Sequence, residues 1–148
     1  MNRTPLAVLA LLTLSSAAWA EDTLSISQVI AFETPSTAMS GGGFMQITNT
    51  GATDDTLISV IADFPRVEIH TTEFTDGIAR MKHIDGIPVP AGETVTLAPG
   101  GLHVMFMGLN GDPLEIGETI PATLVFAQAG EIPVTFEVVA RDMAAHSN

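Results

Sequence analysis

The stretch Arg66-Val67-Glu68-Ile69-His70-Thr71-Thr72-Glu73-Phe74-Thr75-Asp76-Gly77-Ile78-Ala79-Arg80-Met81-Lys82-His83 decides the fold. Over Arg66–Phe74 apolar and polar residues alternate, with Val67 and Ile69 on one face and Arg66, Glu68, His70 and Thr72 on the other. That period of two belongs to a half-buried strand. Asp76-Gly77 then supplies the positive-φ pair of a tight hairpin turn. With those two residues as the loop, Thr75 pairs with Ile78, so His70 faces His83 and Thr72 faces Met81. Directly opposed residues share a face and diagonal neighbours lie about 7–8 Å apart, which sets His70, Met81 and His83 on one side within reach of a single ion.

The same alternation recurs outward from the hairpin. Strands are expected at Leu24–Glu33, Gly43–Asn49, Thr56–Ala62, Ile78–Ile84, Thr94–Leu97, Leu102–Leu109, Thr119–Ala127 and Ile132–Arg141, besides the first arm. Turn signals separate them, among them Asn49-Thr50-Gly51, Ala91-Gly92, Pro99-Gly100-Gly101 and Asn110-Gly111-Asp112-Pro113. Many short strands punctuated in this way predict an all-β sandwich or barrel, and 148 residues suffice for one domain. The segment Thr34–Gly42, rich in Pro, Ser and Gly, reads as a connecting loop. Its Gly41-Gly42-Gly43 lacks the Lys-Ser/Thr that would make it a phosphate loop.

Leu102–Leu109 breaks the pattern. Leu102, Val104 and Phe106 share the evident core face, which leaves His103, Met105 and Met107 on a face that ought to be polar. The strand is either buried on both sides, with Met as an adaptable filler, or it presents soft ligands.

Composition narrows the chemistry. With 5 Lys+Arg against 17 Asp+Glu the chain is at −12, which opposes binding to nucleic acid or anionic membranes. No cysteine is present, which excludes disulfides, thiolate metal sites and a cysteine nucleophile, and leaves Met and His to hold any soft metal. Arg3, the apolar run Leu6–Leu14 and Ala18-Trp19-Ala20 have the form of a secretory signal peptide, residues 1–20, cut after Ala20. The exported chain then carries 4 basic and 17 acidic residues and no segment long enough to span a bilayer as a helix. Its domain is expected over residues 21–141, with a frayed tail at 142–148.

The four donors His70, Met81, His103 and Met105 stand in the spacing H-x10-M-x21-H-x-M. This spacing resembles that of the periplasmic copper chaperones of the PCu(A)C family. So do Ile47-Thr48-Asn49, Val67-Glu68-Ile69-His70, Val89-Pro90-Ala91-Gly92 and Leu97-Ala98-Pro99-Gly100-Gly101-Leu102-His103-Val104-Met105. The likeness runs from about Leu24 to Arg141; one departure is Thr71, where many members carry a second Met.

The resemblance implies a cupredoxin-like Greek-key β-sandwich in the periplasm that holds one Cu(I) through His70, Met81, His103 and Met105. It also implies transfer of the ion to the CuA subunit of cytochrome c oxidase or to a Sco-type assembly factor, by a monomeric chain. The chemistry agrees, since neutral thioether sulfur selects Cu(I) and imidazole tolerates it.

Of the remaining donors, His83 is a candidate fifth ligand or an outer group, and Met107 a hydrophobic surround. Met39 and Met45 read as packing residues, Met143 and His146 as tail, and Asp54-Asp55 as a solvated turn. Proton competition at the histidines is expected, with the acidic chain favouring imidazolium. No G-x-S-x-G or H-E-x-x-H motif points to an enzyme. The rival reading is a metal-free β-sandwich for adhesion or assembly.

Overall fold

Ten strands account for most of residues 23–142, the part of the chain described by the computed structural model. They are β1 (Leu24–Phe32), β2 (Ser40–Asn49), β3 (Asp55–Ala62), β4 (Arg66–Thr75), β5 (Ile78–His83), β6 (Ile87–Val89), β7 (Thr94–Leu97), β8 (His103–Met107), β9 (Thr119–Phe126) and β10 (Gly130–Val139). The expected signal peptide with its cleavage point, and the tail residues Met143 and His146, lie outside the described residues. The nine expected strands are all present, and the tenth is the three-residue β6.

Hydrogen bonding joins the strands in the order β5-β4-β8-β2-β1-β10-β9-β3-β6, with β7 on β2. The path folds over on itself, because side chains from both of its halves enter one core. Ile47, Val104 and Phe106 come from one half and Leu57, Leu124, Phe136 and Val138 from the other. Phe106 is the hinge of this packing, with its ring 5.3 Å edge-on from that of Phe136 and 4.9 Å from that of Phe64. Strand β9 displays the pattern most plainly, with every second residue from Ile120 to Phe126 buried.

The fold is that of a cupredoxin-like all-β domain. A bulge at Ser27–Ile30, with Gln28 at φ 52°, lets β1 serve two partners, β2 antiparallel and β10 parallel.

The hairpin register is the expected one: Thr75 opposes Ile78, Thr72 opposes Met81 and His70 opposes His83. Asp76 and Gly77 take φ 52° and 77° in the turn. Three local readings are corrected. Gly41 and Gly42, expected in the connecting loop, are strand, and with Gly43 they pair with β8 as Gly41↔Phe106, Gly42↔Met105 and Gly43↔Val104. Gly43 is required by close approach, since a Cβ there would stand 2.8 Å from the Phe136 ring and 2.9 Å from that of Phe106.

Asp55 is buried rather than solvated. Its carboxylate accepts from the backbone N–H groups of Thr56, Gln128 and Ala129 at 2.7–2.9 Å and so ties β3 to the β9–β10 turn. Met39 is exposed and does not pack, whereas Met45 is buried as expected.

Candidate metal centre

Strands β5, β4 and β8 lie side by side, and their registers lay the chemistry-bearing residues out as a grid. One row across them is His83, His70, His103; Met105 opposes Glu68 in the row on one side, and Met81 opposes Thr72 in the row on the other. His70 therefore occupies the middle, with Met105 and Met81 as diagonal neighbours on opposite sides. Opposed residues share a face, so all of these side chains project together. The rings of His70 and His103 are 5.8 Å apart, and those of His70 and His83 are 6.0 Å apart.

The face that alternation left open to water is in part roofed. Strand β8 is buried on both sides, with His103 4% and Met105 8% exposed. Phe44 stands 6.4 Å from the His103 ring, Phe32 packs 4.9 Å from Phe44, and the Arg141 guanidinium lies 5.6 Å over Phe32. Beneath this roof is a cavity of about 300 Å³ into which Met81, His103 and Met105 project, floored by Gly41 and Gly42. His103 and Met105 are fixed in its wall, while Met81 is 63% exposed at its rim. His70 borders His103 and does not line the cavity. Met107 turns aside, its Sδ accepting from Arg66 Nε at 3.4 Å.

The His70 and His103 imidazoles each have one nitrogen engaged and one idle. His103 Nδ1–H donates to the Gly101 carbonyl at 3.0 Å, and His70 Nε2–H donates to Glu68 Oε2 at 2.7 Å. These bonds leave the lone pairs on His103 Nε2 and His70 Nδ1, the two buried side-chain polar atoms without a hydrogen-bond partner among the described residues. Elsewhere buried polar groups are satisfied; Asn49, for instance, donates to the carbonyls of Thr53 and Val89 and accepts from Gly51 N–H. Orphaned imidazole nitrogens, oriented by a carboxylate and a carbonyl on the far side of each ring, have the form of metal ligands with their outer partners in place.

Electrostatics follow the same arrangement. Burial holds the His103 imidazole below its ordinary value, which keeps it neutral and able to ligate; the expected rise from the acidic chain does not operate there. The bond from His70, aided by Arg66 and His83, holds the Glu68 carboxyl below its usual range against the opposing effect of burial. Glu68 was not anticipated as part of the site. The Val67-Glu68-Ile69-His70 alternation already placed it on the ligand face, with Arg66 and His70 two residues away on the same strand and His83 brought near by the β4–β5 register.

The fold is that of a PCuAC-type domain, and solved structures of that class match it. The copper-bound PCuAC domain of PmoF2 is 28% identical with a TM-score of 0.67 over 82% of this chain and 97% of that one. The Cu(I) form of DR1885 from Deinococcus radiodurans is 26% identical with a TM-score of 0.62 over 85% of each chain. By sequence the chain belongs to the LpqE-like lipoprotein family, which matches residues 24–138. A curated relative, lipoprotein Lxx21020 of Leifsonia xyli, is 35% identical over 97 residues, 64% of this chain; the aligned part spans 58% of that relative's length. No helix among the described residues is long and apolar enough to cross a membrane.

Proposed function

We propose that this protein is a copper chaperone that binds one Cu(I) through His70 Nδ1, His103 Nε2, Met81 and Met105 and surrenders it to an acceptor protein. The observation that carries the reading is the pair of buried, unpartnered imidazole nitrogens on adjacent strands, flanked by two thioethers. Two neutral nitrogens and two neutral sulfurs suit Cu(I) and give no thiolate of the kind that holds a permanent blue-copper centre. The copper-bound forms of the PmoF2 domain and DR1885 support the choice of metal.

Four donors leave no vacant position for an activated water, so the role is carriage rather than catalysis. Met81 at the exposed rim is the donor an incoming acceptor ligand displaces first. The resemblance to PCu(A)C proteins favours the CuA subunit of cytochrome c oxidase, or a Sco-type assembly factor, as acceptor. In this reading residues 1–20 direct export to the periplasm and are removed after Ala20, leaving residues 21–141 as the copper domain.

One preparation tests it. Protein recovered from the extracytoplasmic fraction should have an intact mass beginning at Glu21 and should take up one Cu(I) per chain in anaerobic competition with a chromophoric chelator. A chain that takes up no Cu(I) is instead a metal-free module, and a mass retaining Arg3 overturns the leader.

A further inference from the structure

Glu68, His70 and His83 each direct one potential ligand atom into a common space, with these atoms all within 4.8 Å of one another. Glu68 Oε2 lies 2.7 Å from His70 Nε2 and 3.7 Å from His83 Nδ1. We propose that these three residues form a second metal site, for a divalent ion of the Zn(II) or Cu(II) type, and that it competes with the Cu(I) site for His70.

The donor set differs in kind from the first. Two imidazoles and a carboxylate, with no thioether, suit borderline divalent ions rather than Cu(I). The surroundings are built for the task as well. Arg66 Nε holds the other carboxylate oxygen, Oε1, at 2.9 Å and leaves Oε2 available. Asp85 Oδ1 stands 3.5 Å from His83 Nε2, at the ring nitrogen not turned to Glu68. Bonds of about 2.0–2.2 Å place tetrahedral donors roughly 3.3–3.6 Å apart. The Glu68–His70 contact must therefore open slightly while His83 closes in, and His83, 54% exposed on the outer strand, has room to move. Its exposure also leaves a position open to water.

The competition follows from the chemistry of one ring. A neutral imidazole has a single lone-pair nitrogen. With Nε2–H bonded to Glu68, His70 offers Nδ1 to the His70-Met81-His103-Met105 set. Once Nε2 ligates a divalent ion, the proton resides on Nδ1 and that set loses a donor. The second site stands on its own residues; only the competition rests on the Cu(I) reading.

Zn(II) is the probe, being redox-silent. Titrated into the copper-free exported chain against a chromophoric chelator, it should bind at one per chain. Glu68→Gln and His83→Ala should each weaken it at least tenfold, while Met81→Leu and Met105→Leu leave it unchanged. Two-bond proton–nitrogen spectra of the His70 imidazole should show the proton moving from Nε2 to Nδ1 on Zn(II) binding, and Cu(I)-loaded protein should bind Zn(II) at least tenfold more weakly. Zn(II) binding indifferent to Glu68→Gln and His83→Ala overturns the site, and equal Zn(II) affinity with and without Cu(I) overturns the competition. Zn(II) binding that needs Glu68 and His83 in a protein that takes up no Cu(I) keeps this site and discards the chaperone reading.

Discussion

Strand β8 brings His103 and Met105 to the centre from a strand paired on both edges and covered on both faces, whereas β5 brings Met81 and His83 from an outer strand bonded to β4 and exposed along its whole length. The same sheet thus supplies a rigid half and a yielding half to one site. The rigid half sets donor geometry, because its side chains are locked by packing; the yielding half sets exchange, because its donors can move without disturbing the core. A carrier needs both, since an ion held only by buried groups would not leave and one held only by exposed groups would not be retained.

The largest effect expected from this contrast is on folding. Phe106→Ala removes a fully buried ring from between Phe64 and Phe136 and should destabilise the protein by about 3–5 kcal/mol. Phe74→Ala, at a ring 66% exposed on the yielding half, should stay within about 0.5 kcal/mol. Denaturant midpoints of the two variants measure the difference directly, and equal losses would erase the distinction between the halves.

Next comes metal binding. Met105→Leu and Met81→Leu nearly conserve volume, so each should cost folding less than about 1.5 kcal/mol. Both should weaken Cu(I) binding, Met105→Leu by about tenfold or more, as losing a donor should cost no less than losing one of its outer partners. Met81→Leu should cost less affinity, because water reaches the rim, and should act chiefly by speeding release to a chelator. Chelator competition and stopped-flow transfer separate the two quantities. A larger affinity loss at Met81 would reverse the assignment.

The smallest effect is that of pH. In the unfolded chain His103 takes a proton near its ordinary value of 6.5, while burial holds it below that in the fold. Between those two values the unfolded state binds more protons, so copper-free stability should be complete above about pH 6.5 and decline as pH falls through that window. Glu68, also lowered, adds a loss of the same sign below its ordinary 4.5. Cu(I) affinity should weaken on acidification with a limiting slope of about two protons per copper, the proton at His103 entering later than at an ordinary histidine. His103→Met should flatten the copper-free stability profile below about pH 6.5 and halve the affinity slope. An unchanged profile would place the acid sensitivity elsewhere.

Much of the yielding half was legible in the sequence, because it is local. Asp76-Gly77 dictates the turn, the turn dictates the register, and the register places His70, Met81 and His83 on one face. The rigid half was only partly so. The His103 and Met105 spacing stood out, but their roof comes from Phe32, Phe44 and Arg141, residues distant in sequence that only the β1–β2–β8 arrangement brings together. Gly41 and Gly42 carry no side chains and hence no alternation, so the first part of a strand that passes beneath the site read as a loop. Glu68 was one acid among 17, and alternation set it on the same face as Arg66 and His70 without marking it as their bonding partner. Ile87-Pro88-Val89 is too short to display a period.

The outer position of β5 also bears on self-association. One edge of this strand has no neighbouring strand among the described residues, and such an edge is a template on which further chains can add. It cannot be capped by a permanent partner without sealing the donors it carries. The six-residue strand instead holds two of the chain's five cationic residues, Arg80 and Lys82. Pairing with the same strand of another copy would bring these charges together, and a charged edge is a recognised defence against sheet-to-sheet growth. The protein can thus keep this border open for exchange while making it a poor seed for polymerisation.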